Sequence, residues 1–203
     1  AKAMPLPILE EKDFGFDRDT FVKLVSPRTR LVVINSPTNP TGAILAREDL
    51  ELVAEMAQKY DFYVLSDEIY SRLVFEGEHF SIASLPGMKE RTIIVNSFSK
   101  TYAMTGWRVG MALGPSEIIK NMVKLQENVA ACVNSAAQYG AIAALEGTQE
   151  PLHEMQRAYQ RRREIIVDGF SKIAGLDCFA PQGAFYALVN ISSTGMSANE
   201  YRS

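Results

Sequence analysis

The 203-residue chain carries 21 Lys and Arg against 24 Asp and Glu, a formal net charge of −3, and 47% of it is hydrophobic. That balance gives no basic field for nucleic acid or a membrane surface, and the apolar content is enough for a real core in one large or two small domains. Cys132 and Cys178 lie far apart without metal-ligand spacing, Ala1-Lys2-Ala3-Met4-Pro5 lacks the apolar core of a signal peptide, and no 18-residue apolar run is free of polar groups, so a soluble, cytoplasmic protein in a reducing setting is expected.

Residues 5–9 (Pro-Leu-Pro-Ile-Leu) read as an edge or connecting strand, because proline is poorly tolerated inside a sheet. Asp17 is placed to cap a short helix with Phe21, Leu24 and Val25 on one side. The apolar run 31–34 leads into Asn35-Ser36-Pro37-Thr38-Asn39-Pro40-Thr41-Gly42, whose prolines forbid a helix. Leu50, Val53, Ala54 and Ala57 then predict a helix over about 47–59. A second strand starts at Phe62 and runs into Ser66-Asp67-Glu68-Ile69-Tyr70, and strand, helix, strand makes a crossover unit.

A looser stretch with Gly77, Pro86 and Gly87 precedes a third strand, 92–95, which ends in Asn96-Ser97-Phe98-Ser99-Lys100. Residues 107–113 read as a further strand closed by Gly114-Pro115, with Pro115 in the first turn of a helix carrying Ile118, Ile119, Met122, Val123 and Val129. Residues 130–145 are rich in small side chains, which suits close helix packing. From Pro151 a long helix spaces Leu152, Met155, Tyr159, Ile166, Phe170 and Ile173 by three, four or seven, with Gly175 as its stop and Arg161-Arg162-Arg163 as a solvated face. Residues 176–179 and 184–190 read as strands of a second, smaller domain, and Ser197-Ala198-Asn199-Glu200 has capping-box spacing close to the last residue. A piece of a longer protein is therefore expected.

Short continuous apolar runs suggest strands buried on both faces, as in a parallel sheet, and in such sheets ligands sit outside the carboxyl ends of the strands. Asn39, Asp67, Tyr70, Ser97, Ser99, Lys100 and Arg108 would then converge on one crevice. Each has an ordinary reading taken alone. A lone lysine is a surface group, Asp67 caps a turn, Asn39 between prolines is a turn residue, Tyr70 is a core tyrosine, and the serines and Arg108 satisfy nearby polar groups. What resists these separate readings is the set: an amine, an acid, an amide, a phenol and anion binders, each just past an apolar strand. A lysine destabilised by burial or by a nearby cation such as Arg108 is a nucleophile for a carbonyl. His79 and His153 are isolated, and no metal site is expected.

Asn39-Pro40-Thr41-Gly42, Asp67-Glu68-Ile69-Tyr70, and Ser97-Phe98-Ser99-Lys100 with Gly106-Trp107-Arg108-Val109-Gly110 resemble, in this order and spacing, the fold-type I pyridoxal-phosphate enzymes, specifically the class I and II, aspartate aminotransferase-like family. The resemblance implies an α/β fold, a three-layer, mostly parallel sheet flanked by helices, with residues 1–147 in the large cofactor-binding domain and 148–203 in part of a small α+β C-terminal domain. It implies that Lys100 holds pyridoxal 5'-phosphate as an internal aldimine and acts as general acid-base, and that Asp67 pairs with the pyridinium nitrogen. Asn39 and Tyr70 would bond the ring's phenolic oxygen, and Ser97, Ser99 and Arg108 the phosphate. The Asn39-Pro40 bond is cis in relatives. The implied reaction is ping-pong amino transfer between an amino acid and a 2-oxo acid in a homodimer, with Asn134 and Ser135 near the partner's site. Parts of the family's site have no counterpart in the sequence, among them an aromatic stacking on the ring and the arginine for the substrate carboxylate, so the 203 residues alone are expected to be inactive.

Other chemistries can be set beside this one. A carbon–sulfur lyase or a cyclopropane-forming synthase could use the same lysine and aspartate. A regulatory aminotransferase-like domain could keep the fold without catalysis. Ser97-Phe98-Ser99-Lys100 also fits the Ser-x-x-Lys of acyl-serine hydrolases, but Ser66-Asp67-Glu68 and Lys100-Thr101-Tyr102 stand where that class needs Ser-Asp-Asn and Lys-Thr-Gly.

Overall fold

The computed structural model describes residues 1–202. Strands β1 (Ile8–Leu9) and β2 (Gly15–Phe16) pair antiparallel around a 3-10 turn at Glu10–Lys12, so the proline-flanked stretch yields two strand residues, clear of Pro5 and Pro7. Helix α1 (Arg18–Leu24) begins where the Asp17 carboxylate accepts from the Thr20 amide at 2.8 Å, and it turns Phe21 into the core.

Strand β3 (Leu31–Asn35), helix α2 (Arg47–Tyr60) and strand β4 (Tyr63–Asp67) form the crossover, with β3 and β4 parallel neighbours. Strand β5 (Thr92–Ser97) lies parallel to β4 and leads directly into the one-turn helix α3 (Phe98–Thr101). Strand β6 (Gly110–Leu113) returns antiparallel along β5, giving the order β3-β4-β5-β6. β6 starts later than the apolar pattern suggests, because Thr105–Trp107 forms a 3-10 turn and Arg108 caps it in the left-handed region, φ 54°. A backbone turned that way cannot continue a strand ladder.

One face of α2 presents Leu50, Val53, Ala54 and Ala57 to Phe62 and Val64 of the sheet side, and Phe16, Phe21, Val25, Ile82, Leu85 and Met88 close the same core. The opposite face of the sheet is covered less than continuous apolar runs predict, with Val33 64% exposed and Tyr63 39%. An apolar run records what a strand is able to bury, and carries no information on which segment covers it.

Helix α4 (Ser116–Val129) follows Pro115, which is the non-helical cap and not part of the first turn. Helix α5 (Ser135–Glu146) is capped by Asn134, whose side chain accepts from the Ala137 amide at 3.2 Å, and it packs Ala137 and Ala141 against Phe98, Met104 and Val109. Helix α6 (Glu150–Ser171) ends at Lys172, ahead of Gly175, which turns the following connection at φ +83°. Strands β7 (Asp177–Cys178) and β8 (Val189–Asn190) pair antiparallel, and helix α7 (Ala198–Arg202) opens on a formed capping box, with the Ser197 amide donating to Glu200 Oε2 at 2.8 Å.

Residues 184–188 are not a strand, contrary to the alternating apolar reading. Ala184 is left-handed at φ 60° and its amide donates to the Leu73 carbonyl at 2.8 Å. The amides of Gln182 and Gly183 both donate to the Gly42 carbonyl, at 2.9 and 2.8 Å, and the Gln182 side-chain oxygen accepts from the Ile44 amide at 2.9 Å. Arg163 secures this segment from α6: its Nε donates to the Pro181 carbonyl and its guanidinium lies 2.6 Å from Glu76 Oε1, so the third arginine of the basic triplet is half-buried and paired rather than solvated.

His79 is likewise not isolated. Its Nε2 is 3.2 Å from Glu68 Oε2, while the hydroxyls of Ser66 and Ser81 donate to Glu68 Oε1 at 3.0 and 2.6 Å. Burial pushes the Glu68 carboxyl up, but His79, Ser81 and Ser66 outweigh it and hold the group below the usual glutamate value.

Two predictions follow from these contacts. An added Cβ at Gly42, where φ is +73°, would lie 2.3 Å from Pro181 Cβ and 2.8 Å from the Gly183 carbonyl oxygen, so Gly42→Ala is expected to destabilise the protein by about 2 kcal/mol or more in urea denaturation. Because Glu68 is depressed in the folded state, its contribution is present above the unfolded value of 4.5 and is lost as pH falls through the folded one. Glu68→Gln is therefore expected to cost about 1–3 kcal/mol at neutral pH and to flatten the acid limb of a stability curve taken from about pH 6 to pH 3.

Candidate active site

The parallel register sets Asn35 opposite Asp67 and Asp67 opposite Val95, so β3 and β4 finish level while β5 runs two residues further, to Ser97. Side chains alternate along a strand, which sends buried Ser66 towards the α2 side and Asp67 to the other face. The Asn35 side chain braces this edge: its Nδ2 donates to the Asp67 carbonyl at 3.1 Å and its Oδ1 accepts from the Asn39 amide at 2.8 Å. Asp67 Oδ1 accepts from the Ile69 amide at 3.2 Å, an Asx-type turn that keeps the carboxylate in place while engaging one of its oxygens.

The Asn39-Pro40 peptide is cis, and so is Ser36-Pro37, which no sequence signal pointed to. Past these prolines, the Asn39 side chain donates from Nδ2 to the Tyr186 hydroxyl at 3.3 Å, and the hydroxyls of Tyr186 and Tyr70 are 2.7 Å apart. Tyr70 is 3% exposed, packed with Leu73, Ala184 and Phe185 and with Met155 and Tyr159 of α6. Burial first, then the Tyr186 phenol and the Asp67 carboxylate, push its hydroxyl above the ordinary phenol range. Tyr70 is consequently a neutral proton donor or acceptor at any physiological pH.

Lys100 occupies α3, directly after β5. Its Nζ lies 4.9 Å from the centre of the Phe185 ring and 5.9 Å from that of Tyr70, and among the described residues it makes no hydrogen bond or ion pair. Aromatic faces attract an ammonium without offering it an oxygen acceptor, so the amine is positioned but not tied.

Ser97 caps α3: its Oγ accepts from the Ser99 amide at 3.1 Å, lies 2.9 Å from Ser99 Oγ and is 3.0 Å from the Val109 carbonyl oxygen. Arg108 reaches the same sheet edge because Gly110 pairs with Ser97, and an added Cβ at Gly110 would come within 2.9 Å of the Asn96 carbonyl oxygen. The Arg108 guanidinium, however, donates to the Thr105 carbonyl at 2.9 Å, and no bond joins it to either serine hydroxyl among the described residues. It borders a cavity of about 730 Å³ shared with Trp107, Gln126, Cys132 and Asn134.

Two side chains at this site escape a reading of sequence. Phe185 and Tyr186 sit in an apolar stretch that looks like strand interior, and the signal that places them is the pair of amide bonds to the Gly42 carbonyl from more than a hundred residues away.

The chain matches the family of class I and II aminotransferases over residues 1–201. It is 43% identical over 203 residues to aromatic-amino-acid aminotransferase 2 of Thermococcus litoralis, covering 98% of this chain and 52% of that protein. The aspartate aminotransferase of Pyrococcus abyssi is also 43% identical over 203 residues, with 98% of this chain and 52% of that protein covered. Among solved structures, the aromatic aminotransferase from Pyrococcus horikoshii OT3 superposes with a TM-score of 0.94 at 42% identity, over 98% of this chain and 54% of that one. The chain spans about half the length of the curated relatives it matches. With the family pattern running through nearly every residue and the same α/β architecture in its structural neighbours, the chain belongs to the class I and II aminotransferases.

Proposed function

We propose that the whole protein is a pyridoxal-phosphate-dependent aminotransferase, moving an amino group between an amino acid and a 2-oxo acid with Lys100 as the cofactor-bearing residue. The observation that carries this reading is the Lys100 amine, set over two aromatic rings without an acceptor, on the strand-end edge that also presents the Asp67 carboxylate. The donor set suits the cofactor group by group. An amine suits an aldehyde, a carboxylate with one oxygen unbonded among the described residues suits a protonated ring nitrogen, an amide and a neutral phenol suit a phenolic oxygen, and two hydroxyls beside the α3 amides suit a phosphate. Arg108 would have to leave the Thr105 carbonyl to join them.

The cofactor, when bound, supplies an aldehyde for the amino group and a ring that takes up electrons from the substrate's α-carbon. Within that chemistry Asp67 holds a proton on the ring nitrogen, and its backbone is kept in place by Asn35. Asn39 and Tyr70 hold the phenolic oxygen. Lys100 Nζ would take the proton from the substrate's α-carbon and return it to the cofactor's aldehyde carbon, across the nitrogen, a role open to an amine that pairs with no carboxylate among the described residues. Donor and acceptor would use the same groups in turn, which makes the kinetics ping-pong.

The large and small domains are proposed to divide at about residues 147 and 148, where α5 closes on Gly147 and the chain turns into α6. A homodimer is proposed as well, supported by apolar side chains such as Leu125, Val129 and Tyr139 that α4 and α5 leave exposed. A cytoplasmic setting is supported by two unpaired cysteines; no helix among the described residues is long and apolar enough to cross a membrane.

Lys100→Ala in the whole protein is expected to abolish the lysine-dependent, pH-sensitive band formed with added pyridoxal phosphate, borohydride trapping at residue 100, and turnover. Asp67→Asn is expected to keep the absorbance and lower turnover about a hundredfold or more. Steady-state kinetics with both substrates varied should give parallel double-reciprocal lines, and retention of turnover by Lys100→Ala would remove the basis of the assignment.

A further inference from the structure

The hydroxyls of Tyr70 and Tyr186, 2.7 Å apart, share one proton between them, and Asn39 Nδ2 donates to Tyr186 at 3.3 Å. Asn39 Nδ2 carries only protons, so the Tyr186 oxygen is the acceptor of that contact, and its own proton is then free to go to Tyr70. When Tyr186 donates across the 2.7 Å contact, a lone pair of Tyr70 is engaged and the Tyr70 proton is left to point outward. Amide, phenol and phenol thus form a continuous chain of contacts, in whose second link either hydroxyl can donate, anchored on a segment that the Gly42 carbonyl and the Leu73 carbonyl fix to the two loops carrying Asn39 and Tyr70.

We infer that Tyr186 is a further positioning residue of this site, whose phenol orients the Tyr70 hydroxyl as a donor and holds the Asn39 amide beside it. This inference rests on the cofactor reading above and goes beyond it, since it gives Tyr186, a residue of the C-terminal segment, a part in the chemistry. The ring is well placed for such a role: it packs at 4.9 Å from Phe185 and crosses Tyr70 edge-on at 5.7 Å, so the hydroxyl has little freedom to swing away. The charged and titratable groups around Tyr70 are Asp67 of β4, Lys100 of α3 and, through the stacked Phe185, Tyr159 of α6. None of these is hydrogen-bonded to the Tyr70 hydroxyl among the described residues, whereas Tyr186 is.

A donor aimed at the cofactor's phenolic oxygen favours its anionic form, so loss of that aim raises the pH at which the visible band of the Lys100-bound cofactor changes. The test is a spectrophotometric pH titration of the whole protein loaded with pyridoxal phosphate, as wild type, Tyr186→Phe, Tyr70→Phe and the double variant, with thermal melting of each apoprotein recorded alongside. Tyr186→Phe keeps the ring contacts and is expected to raise the midpoint by about half a pH unit or more, whereas adding it to Tyr70→Phe is expected to move nothing further. An unmoved midpoint in Tyr186→Phe, or an equal shift in the Tyr70→Phe background, overturns the positioning role while leaving the cofactor assignment intact. A wild-type protein with no lysine-dependent band overturns the assignment and this role together.

Discussion

Because β3, β4 and β5 run parallel and in a register that sets Asn35 beside Asp67 and Asp67 beside Val95, the segments that follow them all leave the same end of the sheet. A slip of one residue in any pairing would turn Asp67 towards the α2 core and bring Ser66 to the open face. That register is protected by the asymmetry of the two faces. Val64 and Ser66 are buried among Leu50, Val53, Phe62 and Met88, and an ionised carboxylate has no place in that company without partners. The buried carboxylate of Glu68 is surrounded by Ser66, Ser81 and His79, and so the turn after β4 is anchored by the residue next to Asp67.

The second dependence is between the sheet and the C-terminal segment. The Gly42 loop receives two amides and a proline from residues 181–183, at a distance only a residue without Cβ permits, and Arg163 clamps the same segment from α6. These contacts carry Phe185 and Tyr186 to the lysine and to the phenol of Tyr70. Helix packing and site chemistry are thus joined through one short stretch of irregular backbone, which is where functional side chains are commonly held.

Much of the sheet edge was legible in the sequence because each strand is an apolar run that stops abruptly at polar residues, and the crossover helix repeats its apolar positions every third or fourth residue. Asp17 and Ser197 were legible as caps for the same local reason. What could not be read depends on contacts distant in sequence. The apolar run after Ala184 has strand composition, yet the amides that lead into it, of Gln182, Gly183 and Ala184, answer to Gly42 and Leu73, and among the described residues of the run only Val189–Asn190 pairs as a strand. Arg163 looks like one of three solvated cations until Glu76 and the Pro181 carbonyl are brought to it. His79 reads as a lone histidine because its partner, Glu68, lies in another loop. The direction of the Arg108 guanidinium, towards Thr105, is a matter of side-chain conformation on which the motif is silent.

The separation between Tyr70 and Tyr186 is 116 residues, and between Asn39 and Tyr186 it is 147. Closing such loops is entropically unfavourable, though the penalty grows by only about 0.6 kcal/mol for each doubling of length. The three-membered polar rack ties the sheet edge to the C-terminal segment by contacts that can be surrendered and regained while the sheet stays intact, a seam along which the two can part.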